Sequence, residues 1–290
     1  STRLAFIANN KSDGIILCAY TLNQKQTDFV LDFTVDLPND AHSLLALKPE
    51  IESSLVVFTR DGIIRITSLE GLSHTVEHLS SYIPPYILHH CYFYDDIYLI
   101  CDACGGLSGV SLPIEGSIAI GSITNVGPTS GIIVIDKNYF FVSSPFGDSY
   151  LYEFRLMENC FELNVCDVVK GNALISNLQL YDDDIYCSSG RGNSCSISKF
   201  ENLVPTQALF KINVGSCFET FSFGYKDDIL ICLCYFDETR IIKFMKKNNN
   251  VEIIDWKTID SNDNTLQFKR INKQEILYVS SSYVKILNIK

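Results

Sequence analysis

Cys101-Asp102-Ala103-Cys104 is a CxxC spacing, and two thiols so placed can exchange electrons or hold zinc. His89 and His90 lie just upstream and would supply the nitrogen ligands of a tetrahedral zinc site. Redox use calls for a helix N-terminus that lowers the thiol pKa. Here Cys101 closes an apolar, strand-like run, and Cys104 leads into Gly105-Gly106, a turn. The pair is therefore read as the end of a strand and its turn, with no metal and no cofactor expected. Asp95-Asp96, Asp182-Asp183-Asp184 and Asp227-Asp228 could suggest Ca²⁺, but they lack the alternating oxygen ligands and distal Glu of an EF-hand loop. They read as turn residues on solvated loop tips. No GxSxG elbow, P-loop or dinucleotide fingerprint occurs, and His42, His74 and His78 have no recognisable catalytic partners. Gly190-Arg191-Gly192 is a Gly-rich turn with no helix after it to hold a phosphate, and is read as a hairpin loop. No catalytic residue is assigned, and the chain is not expected to be an enzyme.

The elements that would position these residues repeat. Apolar runs begin near Leu4, Leu55, Ile97, Tyr139, Ile185, Ile229 and Ile276, returning every 42 to 51 residues. Most are followed by turn chemistry and a second run. Asp61-Gly62 precedes IIRITSL, Gly105-Gly106 precedes LSGVSL, and Phe146-Gly147-Asp148 precedes SYLYEFRL. Gly190-Arg191-Gly192 precedes SCSISKF, and Asp237-Glu238 precedes TRIIKFM. These are hairpins. Alternation in Ser149–Leu156 and Ser194–Phe200 implies one buried and one wetter face. Two more strand-like runs fall between hairpins, as at Cys160–Val168 and Leu174–Leu180. Four strands per repeat of this length is a propeller blade. The expected fold is an all-β propeller of divergent four-stranded blades over 1–290. Six full repeats and a final hairpin are visible, about seven in all. A junction between two propellers near 200–210 would fit the count as well as one ring. The chain opens on Ser, so a processed form or a piece of a longer protein is expected.

Composition narrows the function classes. A net charge of -11 argues against non-specific nucleic-acid binding, which needs Lys and Arg to displace counterions. Lys246-Lys247 is the adjacent basic pair of note and is read as a solvated loop. The 11 cysteines are odd in number, and Cys18, Cys91, Cys187, Cys232 and Cys234 sit in apolar runs. This reads as free thiols in a reducing compartment. No apolar run reaches the roughly 18 residues of a membrane span, so no membrane partner is expected.

Ser80-Ser81-Tyr82-Ile83-Pro84-Pro85-Tyr86-Ile87 is set apart by its two prolines, which force an extended backbone and exclude a central strand. It reads as a connection between blades, or as an exposed rim contact. Its Tyr82–Ile87 part resembles a connector in the large subunit of the damaged-DNA-binding protein. That protein's family also holds the large subunit of the cleavage and polyadenylation factor and a subunit of splicing factor 3b. Phe140–Leu151 (FFVSSPFGDSYL) is similar to that family's strand pair with a Gly-Asp-Ser turn. Cys187–Ile197 (CSSGRGNSCSI) is similar to a further strand pair, with Gly190-Arg191-Gly192 closer to the splicing member.

The resemblance is best over 82–200. It implies nuclear, non-catalytic scaffolds built of three propellers and a helical tail. This chain would then cover the end of the first propeller and the start of the second. It also implies an adaptor joining a cullin-type ubiquitin ligase to substrate receptors on chromatin, in DNA repair or heterochromatin. The alternative is a scaffold among RNA-processing subunits. A propeller glycosidase or lyase would need paired, buried carboxylates, and none is recognisable. Tyr82, Tyr86 and Phe146 are the expected partner-binding anchors, as aromatic residues in exposed loops.

Overall fold

The computed structural model describes residues 3–9, 14–22, 29–47, 54–68, 74–80, 86–113, 118–129, 131–144, 147–157, 161–169, 175–181, 184–201, 204–217, 219–225, 228–234, 238–247, 250–260, 265–270, 275–280 and 284–288. Past Val168, side chains are described only at Ile241, 277–280 and 284–287. Every element among the described residues is a strand. The chain divides into two compact units, Ser1–Gly127 and Pro128–Lys290.

The first unit holds three antiparallel sheets. Sheet one runs β1 (Arg3–Asn9), β2 (Ile15–Leu22), β3 (Phe29–Leu37). Sheet two runs β4 (Ser43–Ala46), β5 (Ser54–Phe58), β6 (Ile63–Ser68), β7 (His74–Ser80). Sheet three runs β8 (Ile87–Tyr94), β9 (Ile97–Asp102), β10 (Gly106–Ser111), β11 (Ala119–Asn125). Each strand pairs with its neighbour in sequence, so every sheet is a meander.

Sheet two shows why its strands read as near-continuous apolar runs. Val57, Ile64 and Ile66 pack with Leu17, Val35 and Leu37 of sheet one. Val56, Phe58 and Ile63 pack with Tyr98, Ile100 and Val110 of sheet three. Successive residues of a strand point to opposite faces, so both faces of sheet two are buried. Arg65 follows the second face. It is buried, and its Nη2 donates to the Pro113 carbonyl at 2.6 Å, tying sheet two to the end of sheet three's second hairpin. Removing a ring such as Phe58 from such a core costs about 3–5 kcal/mol.

The second unit holds four more meanders. They are β12 (Gly131–Val134) to β15 (Phe161–Val169) through β13 (Tyr139–Ser143) and β14 (Ser149–Leu156); β16 (Ile175–Tyr181) to β18 (Val204–Cys217) through β17 (Asp184–Glu201); β19 (Glu219–Tyr225) to β22 (Asn250–Asp260) through β20 (Asp228–Cys234) and β21 (Glu238–Lys247); and β23 (Thr265–Arg270) to β25 (Val284–Asn288) through β24 (Glu275–Ser280). Phe140, Phe141 and Val142 are all buried, so β13 is covered on both faces as β5 is. Seven sheets result among the described residues, four of them four-stranded. The apolar run near Leu4 is the first strand of its sheet, while the other six runs are second strands.

Three expectations change. Gly190-Arg191-Gly192 is no hairpin loop: β17 runs straight through it, pairing β16 with its first half and β18 with its second. Ile185, Cys187, Cys195 and Ile197 keep one parity along the sequence, so a single extended strand serves both halves. Lys246-Lys247 closes β21 opposite Val251 and Asn250 and lies in the ladder. The alternation of β14 also breaks. Ser149 and Leu151 are buried, but so are Tyr152 and Phe154, so side chains on both faces of the strand are covered. Tyr152 stacks on Phe140 across the ladder at 5.3 Å.

Bulges follow a pattern. Asp32 on β3, Leu79 on β7, Leu88 and Phe93 on β8, Ile123 on β11 and Cys166 on β15 are each the unmatched residue of a register shift. The same holds for Ser176 on β16, Trp256 on β22 and Leu266 on β23, and the shifts in β17–β18 add residues to β18. All these strands are sheet edges. Aspartates cap backbone at two turns. Asp102 Oδ1 accepts from the Cys104 and Gly106 amides, and Asp136 Oδ1 from those of Asn138 and Tyr139. Asp95, at φ +49°, turns the chain between β8 and β9.

Gly105 turns the chain between β9 and β10 at φ +83°, and a Cβ there would overlap the backbone of Gly127. Gly109, in β10, has only ordinary contact with Ile123 Cδ1 at 3.7 Å. Gly105→Ala should cost on the order of 1–3 kcal/mol or more in urea unfolding. Gly109→Ala should leave the midpoint nearly unchanged, and equal effects would refute this reading of the turn.

Candidate protein-docking site

Of the three expected anchors, Tyr82 and Phe146 lie outside the described residues. Tyr86 is described, and local sequence explains its setting. It ends the Pro84-Pro85 connector and immediately precedes β8. Its backbone takes φ +31°, a left-handed conformation that side chains with a Cβ resist. Its carbonyl accepts from the Ala103 amide at 2.9 Å, which fixes the connector to the β9–β10 turn.

The Tyr86 side chain is 55% exposed, yet one ring face is occupied. It stacks on the His42 imidazole with centroids 4.5 Å apart and planes 18° apart. His42 sits just before β4, its own amide bonded to the Phe58 carbonyl. Its Nε2 accepts from the Ile87 amide at 3.1 Å. That nitrogen therefore carries no hydrogen, so the proton is on Nδ1, which donates to the Asp40 carbonyl at 3.0 Å. Asp40 Oδ2 accepts from the Arg60 amide at 2.7 Å, which fastens the 38–42 connector to the β5–β6 turn. A chain of bonds thus runs from that turn through Asp40 and His42 to Tyr86. The result is an aromatic ring held from beneath with its other face open. Sequence reasoning missed His42, because its role comes from two backbone groups distant in the chain.

A recess of about 420 Å³ opens beside this rim, with Pro38, Asp40, Asp61, His78 and Leu79 on its walls. Other exposed apolar side chains of the first unit include Leu88 and Tyr92 on β8 and Val30 and Leu31 on β3.

The CxxC does not form a matched pair. Cys101 is buried in β9, cross-strand from His89, whereas Cys104 is exposed on the turn. Among the described residues, no three His, Cys, Asp or Glu side chains gather as a metal site would require. Cys18 is buried and Cys91 half-buried. Desolvation pushes the Cys91 thiol up to about 12, against a smaller opposing effect from a backbone hydrogen bond at Leu99. The side chains of Cys187, Cys232 and Cys234 lie outside those described.

Two outcomes follow. Tyr86→Gly should be more stable than Tyr86→Ala by about 1 kcal/mol in thermal unfolding, because only glycine relieves the left-handed φ; the reverse order would refute the strain. At pH 8, a thiol titrating near 12 is ionised to about one part in 10⁴, so Cys91 should resist iodoacetamide. Exposed Cys104 should be alkylated in the same sample, as read by peptide mass mapping.

No curated protein matches the sequence as a relative. A family model does: it describes the RSE1/DDB1/CPSF1 first beta-propeller and matches residues 1–257. That stretch spans β17 and β18, which pair in one sheet. Proteins of this family are interaction scaffolds in general. The meandering sheets, their doubly buried strands and the matched length agree, and the chain belongs to the RSE1/DDB1/CPSF1 family as a β-propeller.

Proposed function

We propose that this propeller is a non-catalytic docking platform that links a cullin-type ubiquitin ligase to substrate receptors on chromatin. Its mechanism is geometric. A rigid stack of sheets holds rim side chains in place, and partners bind there without any chemistry by the chain itself. Tyr86 is the observation that carries the reading. Its ring is held on one face by His42 and open on the other, and its backbone is fixed at both sides. Such an anchor loses little entropy on binding, which favours affinity. The Pro84-Pro85 connector beside it resembles that of the adaptor branch. This reading expects work in the nucleus, no cofactor, and protein partners.

A second reading, a scaffold among splicing or 3′-end-processing subunits, is favoured by Gly190-Arg191-Gly192, which is similar to the splicing member. Affinity purification of the tagged chain from its own cells separates the two. Cullin and receptor subunits should co-purify under the first reading, spliceosomal or polyadenylation subunits under the second. Combined Tyr82→Ala, Tyr86→Ala and Phe146→Ala should reduce capture by roughly 30-fold, the effect of losing one hot-spot side chain. Unchanged capture would show that the anchors lie elsewhere.

A further inference from the structure

The recess beside the rim has chemistry that the docking reading leaves unused. Its volume of about 420 Å³ falls within the range of ligand-binding pockets. Pro38, Ile64 and Leu79 give it apolar wall, and Asp40 and Asp61 are the acidic residues of its lining. Asp40 uses Oδ2 to hold the Arg60 amide, a single bond that leaves its charge unneutralised. Among the described residues neither Asp40 nor Asp61 forms an ion pair, and the pair that does form is Arg155 with Glu153. Among the described residues, the exposed Arg60 is a cationic side chain nearby, and His78 lines the wall. The whole chain carries -11.

An apolar wall with uncompensated carboxylates fits one kind of occupant, a side chain with a hydrocarbon stem and a cationic head. The stem lies along apolar surface while the head meets the carboxylates. We infer that this recess receives an arginine- or lysine-bearing segment of a partner polypeptide. The inference rests on the docking reading and names the partner's chemistry at that rim. The carboxylates would speed encounter with a basic partner and fix its register. Asp40 joins the two features, since its carbonyl accepts from His42 beneath Tyr86 while the residue itself lines the recess.

The test titrates the full chain with acetyl-Arg-Gly-Arg-amide and follows its ¹H–¹⁵N amide spectrum. A second titration uses the same peptide with citrulline in place of arginine, which keeps the shape and removes the charge. Saturable shifts at Gly62 and His78 with the arginine peptide, absent with citrulline, are expected. Asp61→Asn alters an exposed side chain, and Asp40→Asn keeps an acceptor for the Arg60 amide, so both variants retain the fold. Together they should weaken the arginine peptide at least tenfold. Equal binding of the citrulline peptide, no response at the recess amides, or an unchanged affinity in the double variant would each overturn the inference. The docking reading is judged separately by the co-purified complexes, and Tyr86→Ala should leave the peptide titration unaltered.

Discussion

A sheet with apolar side chains on both faces cannot stand alone in water, and this constraint organises the first unit. Sheet two has Val57, Ile64 and Ile66 on one side and Val56, Phe58 and Ile63 on the other. It must therefore be covered twice, once by each neighbour. Each fully buried side chain of this size contributes roughly 1.5–3 kcal/mol, so the arrangement is strongly favoured over separated sheets. The buried Arg65 fits because it finds a carbonyl at the end of sheet three's second hairpin. A rim residue can hold a strained conformation only where such a core already fixes the strands around it. Tyr86 does so at the entry to β8, between the second and third sheets.

The periodic part of this architecture was readable from the chain itself. Runs such as LVVF and IIRI carry the doubly buried pattern directly, and Asp61-Gly62 and Gly105-Gly106 mark turns by their chemistry. Asp102 and Asp136 cap turns because a short carboxylate reaches amides two to four residues on. Where the reading went astray, local chemistry was outweighed by pairing over a longer span. Glycines at 190 and 192 suggested a turn, but glycine also tolerates extended backbone, and the partners β16 and β18 keep β17 extended. Lys246-Lys247 looked like loop by charge, yet the ladder with β22 carries the strand through it.

The docking rim was only partly visible for a related reason. Exposed aromatic residues beside prolines stand out in sequence, which singled out Tyr86. His42 did not stand out, because 44 residues separate it from Tyr86 and its value lies in using both ring nitrogens on backbone groups. Asp40 was equally silent, an ordinary turn residue whose carboxylate and carbonyl serve two different neighbours. Family membership, in contrast, rests on a match along 1–257, which takes in core and turn residues throughout that stretch. Ser149 illustrates this: its hydroxyl is fully buried and accepts from the Ser144 amide, closing the turn that the family motif spans. Such residues record the fold and say little about which partner is bound.

The unmatched residues on the outer strands bear on how anything can attach to this protein. An extra residue bends and over-twists the strand that carries it, so its free amides and carbonyls no longer line up with those of an incoming extended segment. Recruitment by adding one more strand to a blade is thereby discouraged along β3, β7, β8, β11 and β15. The same distortion works against copies of the chain zipping together along these particular borders. Along these bulged borders recognition is left to side chains, where specificity can change without disturbing a single ladder.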